Sequence, residues 1–134
     1  MDKIFQVEPL ISEEDIENVT SYISSGSWIT ENKLTSELEN NIKDYLGREY
    51  AVAVPNGTIA IYLSLLSAGI KDGMKVAVPN LTMIATINAV LWANADPLLV
   101  DVDESLCMSY EKLLELEGKI DCVIFVPLNG RTGE

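Results

Sequence analysis

The stretch that decides the fold spans residues 75–102 and reads KVAVPNLTMIATINAVLWANADPLLVDV. Its two ends are short apolar runs of β-prone residues, which predict strands over 75–79 and 97–102. The residues between them predict a helix over 82–94. Near-continuous apolar strands joined by a helix are typical of a parallel sheet with both faces covered. This stretch therefore predicts an α/β fold.

The same alternation of strand, turn and helix continues on both sides of this stretch. The further predicted elements are strands over 50–54 and 120–126 and helices over 58–68 and 109–117, the last capped by Ser109. Together they predict a mainly parallel sheet of four strands with helices on both faces.

The residues before this alternation are polar and helical in pattern. Ser12 precedes three acidic residues, which predicts an N-cap and a helix from about 13 to 25 that ends at Gly26. A second amphipathic helix is predicted over 33–46, with Gly47 as its stop. We therefore expect an α-helical N-terminal arm over 1–48 and an α/β part over 49–134.

Composition and charge exclude several classes of function. The chain has 134 residues, 21 acidic against 9 basic, no histidine and a net charge of −12. Such a charge argues against nucleic acid as a partner, because binding to phosphate backbones needs a basic face. Without imidazole there is no Ser-His-Asp triad, Cys-His pair or His-ligated zinc.

The cysteines and the apolar runs indicate the cellular compartment of the protein. Cys107 and Cys122 lack metal-ligand spacing, so we expect two free thiols in a reducing environment. The N-terminus has no secretory pattern, and no apolar run reaches the ~18 residues of a membrane span. The sequence therefore predicts a soluble cytoplasmic protein that binds no metal and no membrane.

Ligands of open parallel sheets bind beyond the carboxyl ends of the strands, so function is sought there. The segment Asn56-Gly57-Thr58 leads from a predicted strand straight into a helix. Free N–H groups, a small residue and a hydroxyl at a helix N-terminus suit a phosphate or carboxylate. The alternative is a tight turn in which Thr58 merely caps the helix.

Other residues at this edge leave two readings open. Met83 either reaches into the ligand crevice or packs in the core. Asp101 and Asp103 form either a solvated strand end or part of a cation or acid/base site. Arg131 is the basic residue placed at the carboxyl edge, where it meets an anion or stays a surface charge. The lysines are expected at amino ends of strands or on helix faces.

Seven motifs in one order and spacing resemble the N-terminal part of the DegT/DnrJ/EryC1/StrS family of sugar aminotransferases. The motifs are Gly-x-Trp-Ile-Thr at 26–30, the acidic helix 33–46, Tyr-Ala-Val-Ala-Val-x-Asn-Gly-Thr at 50–58, Val-Pro-x-Leu-Thr at 78–82, Ala-Thr-x-Asn-Ala-Val at 85–90, Val-Asp-Val-Asp at 100–103 and Leu-Asn-Gly-Arg at 128–131. The resemblance implies the aspartate-aminotransferase fold, pyridoxal phosphate as cofactor and a keto nucleotide sugar as substrate. It also implies glutamate as amino donor, a homodimer and a place in surface-polysaccharide or amino-sugar synthesis.

The resemblance also implies roles for individual residues. Those matched to the cofactor site are Gly57, Thr58 and Ile59 at the phosphate and Met83, where the family has an aromatic residue over the pyridine ring. Those matched to the nucleotide-sugar site are Trp28, Ile29, Thr30, Asn129 and Arg131. Pro127 replaces a histidine that many members have.

The family chemistry needs a lysine that forms the Schiff base and an acid that protonates the pyridine nitrogen. In the family both follow the Leu-Asn-Gly-Arg motif, so no catalytic residue is assigned within this chain. We therefore expect the front part of an enzyme, inactive alone, whose first strand over 50–54 lacks its neighbour. The family also includes dehydratases, and the alternative function is a small α/β module that holds a phosphorylated ligand without catalysis.

Overall fold

A computed structural model describes residues 4–5, 7–30 and 33–133. Within them the helices are α1 (Glu13–Ser24), α2 (Lys33–Leu46), α3 (Gly57–Ser67), α4 (Ile84–Trp92) and α5 (Tyr110–Leu114), and the strands are β1 (Lys75–Pro79), β2 (Asp96–Val100) and β3 (Cys122–Val123). The chain divides into two compact units, the first ending at Ala53 and the second beginning at Val54.

The first unit contains the two helices that the sequence predicts. Ser12 caps α1 through a capping box, in which its hydroxyl accepts from the Asp15 N–H at 3.1 Å and its own N–H donates to Asp15 Oδ2 at 2.8 Å. The chain leaves α1 through Gly26, whose φ of +68° suits glycine. The apolar residues of α1, including Ile16, Val19 and Ile23, are exposed.

The strand predicted over 50–54 does not form. Within the described residues no strand includes or pairs with this segment. Its backbone instead meets a side chain of the same unit, since the Ala53 N–H donates to Glu39 Oε1 at 2.8 Å. An apolar β-prone run becomes a strand only when a neighbour supplies the ladder of hydrogen bonds, which explains the difference.

The second unit is built on a parallel sheet with strand order β2-β1-β3. On one face, Val76 and Val78 of β1 pack in a core with Leu65 of α3 and Val90 of α4. On the other face, Ala77, Val100 and Met108 pack against residues of α5 and the turns after it. Helices on both faces of a parallel sheet confirm the predicted α/β class.

Three predicted elements are clearly shorter in the structure than in the sequence pattern, the first being the helix predicted over 82–94, which is α4 at Ile84–Trp92. The strand predicted over 120–126 is reduced to β3, although the N–H groups of Asp121 and Ile124 still donate to β1 carbonyls at 2.8 and 2.9 Å. The helix predicted over 109–117 ends as α5 at Leu114 and continues in turns, while Ser109 caps it as predicted. The predicted four-stranded sheet is thus a three-stranded one within the described residues.

Candidate functional site

The carboxyl ends of the strands are tied together at the edge where the sequence places the site. The backbone N–H of Asn80, the residue after β1, donates to the Val100 carbonyl of β2 at 2.9 Å. The Asn80 side-chain amide also donates to Asp101. The chain leaves β1 for α4 on one face of the sheet and β2 for α5 on the other. Such a divergence opens the crevice in which ligands of parallel sheets bind.

Two helix N-termini point toward this edge. α4 follows the carboxyl end of β1 after a short loop, so it begins there. α3 leads through residues 68–74 into the amino end of β1 and packs on the same face as α4, which directs its N-terminus to the carboxyl edge. The positive end of each helix is therefore available to an anion.

Asn56, and not Thr58, caps α3. Asn56 is in extended backbone conformation, and its Oδ1 accepts the Ile59 N–H at 3.0 Å. The alternative in which Thr58 merely caps the helix is therefore wrong. An anion at this terminus shares the Ile59 N–H with the cap, whereas the N–H groups of Gly57 and Thr58 have no acceptor among the described residues.

Gly57 is the glycine that neither backbone nor packing requires. The other seven glycines of the chain have φ between +60° and +84°. Gly57 does not have a positive φ, and a Cβ built on it has no heavy atom within 4 Å. Glycine is unfavourable in a helix interior, and at this first helical position its open space leaves the backbone accessible to a ligand. We call Asn56, Gly57 and Thr58 the cradle.

Met83 occupies the N-cap position of α4 without bonding to its N–H groups. Its side chain is 73% exposed, so the reading in which it packs in the core is wrong. Such a flexible, polarizable side chain at the ligand edge is free to cover a bound ring. Helix α4 begins at Ile84, later than predicted, and Thr82 precedes it with its hydroxyl 2.8 Å from that of buried Thr86.

The two carboxylates after β2 have separate structural partners. Asp101 is exposed and accepts from Asn80, whereas Asp103 accepts from the backbone N–H and hydroxyl of Ser105. The Ser105 hydroxyl, with its N–H, lowers the pKa of Asp103 below 3.8. Within the described residues no group of three or more His, Cys, Asp and Glu side chains is placed to hold a metal ion.

The predicted substrate residues after β3 lie in a tight turn. Asn129 has a φ of +53° within the short helical turn Leu128–Gly130. The buried thiol of Cys107 contacts the Arg131 carbonyl at 3.6 Å, so this turn lies against the loop that follows β2. The Arg131 side chain is exposed and forms no ion pair with another described residue. It is therefore available to an anion.

The other predicted substrate residues belong to the first unit. Trp28 and Ile29 are 80% and 76% exposed, and Thr30 is exposed as well. The segment is held by Tyr22 of α1, whose hydroxyl donates to the Trp28 carbonyl. An exposed indole with an anchored backbone is suited to contact a planar ring.

The lysines lie where the sequence predicts them. Lys75 begins β1 at its amino end, and Lys119 lies three residues before β3. Lys112 is paired with Glu115 at 2.7 Å on α5. The Glu115 side chain and, more weakly, the charge of Asp101 raise the pKa of Lys112, which lies in the first turn of α5 after the carboxyl end of β2. Sequence reasoning missed the Asn56 cap, although an Asx residue before a helix is a recognised signal for one.

The fold and the cradle define an α/β protein with a helix N-terminus that is open to an anion. The model of the DegT/DnrJ/EryC1/StrS aminotransferase family matches residues 9–134, and the chain belongs to this family. The UDP-4-amino-4-deoxy-L-arabinose–oxoglutarate aminotransferase of Shewanella sediminis is 36% identical over 107 residues, which are 80% of this chain and 27% of that protein. The chain thus spans about a quarter of this curated relative.

Solved structures agree with this assignment. Spr1654 from Streptococcus pneumoniae, in its PLP-form, is 30% identical with a TM-score of 0.83, over 94% of this chain and 32% of the other. The aminotransferase from Psychrobacter cryohalolentis is 26% identical with a TM-score of 0.84, over 96% of this chain and 33% of the other. Within the described residues, no helix is both long and apolar enough to cross a membrane.

Proposed function

We propose that residues 1–134 form the N-terminal, phosphate-binding part of a pyridoxal-phosphate-dependent aminotransferase that acts on a keto nucleotide sugar. The proposal rests on one observation at Gly57. This residue leaves open space beside its own N–H group and that of Thr58, and neither group has an acceptor among the described residues. Family membership supports the same cofactor, as does the PLP-form of Spr1654.

The residues at the cradle fit a phosphate monoester. The N–H groups of Gly57 and Thr58 and the Thr58 hydroxyl would hold its oxygens, with the Ile59 N–H shared with Asn56. Met83 would cover one face of the pyridine ring. When bound, pyridoxal phosphate supplies the electron sink that amino-group transfer needs.

The substrate side of the proposal rests on exposed residues and on the relative's name. Trp28, Ile29 and Thr30 would line the nucleotide-sugar site, and Asn129 and Arg131 would contribute from the turn after β3. The relative's name pairs a UDP sugar with oxoglutarate, which supports glutamate as amino donor. A homodimer, a cytoplasmic location and a place in surface-polysaccharide or amino-sugar synthesis belong to the proposal as well.

The catalytic lysine and the acid for the pyridine nitrogen are placed outside residues 1–134 in this proposal. Support comes from the resemblance to the family, in which both groups follow the Leu-Asn-Gly-Arg motif, here at 128–131. The chain by itself would then bind the cofactor phosphate without transferring an amino group. Amino transfer from glutamate by pure 134-residue protein with pyridoxal phosphate would contradict this part.

Binding of the phosphate is tested by comparing three small molecules on the 134-residue chain. We expect pyridoxal phosphate to bind more tightly than pyridoxal, and inorganic phosphate to compete with it, by fluorescence titration. Equal binding of pyridoxal and pyridoxal phosphate would contradict a phosphate site at the cradle.

The alternative is a module that holds a phosphorylated ligand without catalysis. The same open cradle favours it. Glycerol phosphate separates the two, because it has the phosphate but no ring for Met83 to cover. Binding as tight as that of pyridoxal phosphate favours the module, and clearly weaker binding favours the cofactor site.

A further inference from the structure

A hydrogen bond between two side chains joins the loops that leave β1 and β2 at the carboxyl edge of the sheet. The register places Pro79 beside Val100, so Asn80 and Asp101 form the next pair beyond the strand ends. The Asn80 N–H donates to the Val100 carbonyl at 2.9 Å, and the Asp101 carbonyl accepts the Ser109 N–H at 2.9 Å. Both backbones are therefore fixed where the Asn80 amide donates to the Asp101 carboxylate.

The Asp101 carboxylate has Asn80 as its side-chain partner. Within the part of the chain that the structure describes, Asp101 belongs to no ion pair. The pKa of Lys112 on α5 is raised mainly by Glu115, whose carboxylate lies 2.7 Å from the ammonium, and only more weakly by the charge of Asp101. A carboxylate acceptor strengthens the bond from Asn80, and two short side chains on fixed backbones lose little entropy in forming it.

Residues 80–83 connect β1 to α4 and carry Met83, and we call them the Met83 loop. Hydrogen bonds hold this loop at both ends. Beyond the two bonds of Asn80, the Thr82 hydroxyl lies 2.8 Å from that of buried Thr86, and the Thr86 N–H donates to the Met83 carbonyl at 3.0 Å. Apolar packing contributes little, since the Met83 side chain is exposed. The position of the loop therefore depends on its hydrogen bonds.

We propose that Asp101 is a positioning residue, which holds the Met83 loop through Asn80 and thereby sets where Met83 lies at the carboxyl edge. Its effect on the cofactor rests on the proposed function, in which Met83 covers the pyridine ring and the cradle holds the phosphate. The cradle lies at the start of α3, whereas Asp101 follows β2. Loss of the Asp101 carboxylate should therefore affect the ring of the cofactor and not its phosphate.

The first test is made without ligand, by NMR of the 134-residue chain labelled at its methionine methyl groups. Met83→Leu identifies the Met83 signal among the four methionines. Asp101→Ala should shift and sharpen this signal, because the Met83 loop becomes more mobile. Asp101→Asn keeps an oxygen that can accept from Asn80 and should restore the signal. An unchanged Met83 signal in Asp101→Ala would overturn the proposal.

The matched control is Asp103→Ala, which removes a carboxylate from the same edge. Asp103 accepts from Ser105 in its own loop, so this variant should leave the Met83 signal in place. Asn80→Ala tests the bond from its other partner and should shift the signal as Asp101→Ala does. The double variant should add nothing, since both changes break one bond. An equal shift in Asp103→Ala, or additive shifts in the double variant, would contradict the proposal.

The second test compares the affinities of pyridoxal phosphate and inorganic phosphate. Asp101→Ala should weaken pyridoxal phosphate binding about threefold to tenfold, as expected for one lost hydrogen bond, and should leave inorganic phosphate binding unchanged. Equal losses for both ligands would show that the substitution disturbs the cradle, and would overturn the proposal. Failure of pyridoxal phosphate to bind the unmodified chain would contradict the proposed function, whereas the ligand-free Met83 signal tests the role of Asp101 separately.

Discussion

At the scale of single residues, Asn56 caps α3 and lies beside the proposed phosphate. Its side chain satisfies the Ile59 N–H, one of the donors that a bound anion would otherwise take. Replacing Asn56 with alanine should destabilise the second unit by about 1 kcal/mol, the usual cost of a lost N-cap. Urea unfolding monitored by circular dichroism measures this change.

Replacing Asn56 with aspartate separates the capping of α3 from the effect on a bound phosphate. Asn56→Asp keeps a capping oxygen and should retain most of the stability, but it places a negative charge beside the phosphate. Pyridoxal phosphate affinity should therefore fall while the urea midpoint stays close to that of the unmodified chain. Unchanged affinity in Asn56→Asp would argue that the phosphate binds elsewhere.

A substitution at Met83 is expected to strengthen pyridoxal phosphate binding, whereas Asn56→Asp weakens it. Because the side chain is 73% exposed and caps nothing, Met83→Phe should leave stability unchanged. An aromatic ring stacked on the pyridine should strengthen pyridoxal phosphate binding about threefold to tenfold. Leu81→Phe, in the same loop, is the control and should have no such effect. Weaker binding in Met83→Phe would count against Met83 over the ring.

Residue types predicted helix α3 and its start better than they predicted the hydrogen bonds there. The pattern at 50–58 indicated an anion site at a helix N-terminus, which stays a prediction, and the structure leaves open space beside Gly57. The pattern could not tell whether Asn56 or Thr58 caps the helix. Both side chains can accept from the first turn, and the backbone conformation of Asn56 decides between them.

At the scale of elements, the stability of α1 depends on the charge of one carboxylate, that of Asp15. Hydrogen bonds from the Ser12 hydroxyl and N–H lower the pKa of Asp15 below its ordinary value of 3.8. A carboxylate with a lowered pKa stabilises the helix above the unfolded-state pKa, and this stabilisation is lost as the pH falls through the lower, folded-state value. Helix α1 should therefore begin to fray below about pH 4.

The matching measurement is helix content as a function of pH for the chain and for Asp15→Asn. The variant cannot ionise at position 15, so its helix content should be lower near neutral pH and should change less on acidification. Glu14→Gln removes a first-turn acid outside the capping box and serves as the control. Identical pH profiles for the chain and Asp15→Asn would contradict the role of the capping box.

Local signals predicted the helices more accurately than the strands. The capping pattern at Ser12 and the apolar spacing after residue 33 predicted α1 and α2 to within a residue or so. The runs over 50–54 and 75–79 both alternate valine with alanine, but only the latter has strands on both sides. Strand formation depends on a partner distant in sequence, which propensity does not contain.

At the scale of the whole molecule, the runs over 50–54 and 75–79 are expected to contribute differently to the stability of the chain. Val78 of β1 is fully buried, whereas Val52 is 76% exposed. Val78→Ala should destabilise the chain by about 1–3 kcal/mol, because it removes buried methyl groups and leaves a cavity. Val52→Ala makes the same chemical change and should cost less than about 0.5 kcal/mol. Similar losses in urea unfolding would place residues 50–54 in the core and contradict the structure.

Family membership and the structure support different parts of the proposed function. The match over residues 9–134 establishes the family, but the chain covers 27% of the Shewanella relative. The sugar and the reaction are therefore proposals for this chain. The structure itself contributes a helix N-terminus at the cradle that is open to a phosphoryl group.

The central claim is that residue 57 is a glycine because a side chain there would occupy space that the cofactor phosphate needs. Its most direct test is pyridoxal phosphate affinity measured beside urea stability for Gly57→Ala, with Ser67→Ala at the other end of α3 as control. We predict an affinity about tenfold lower and a stability unchanged or up to ~1 kcal/mol higher, since alanine favours the helix. Undiminished affinity in Gly57→Ala would contradict the claim.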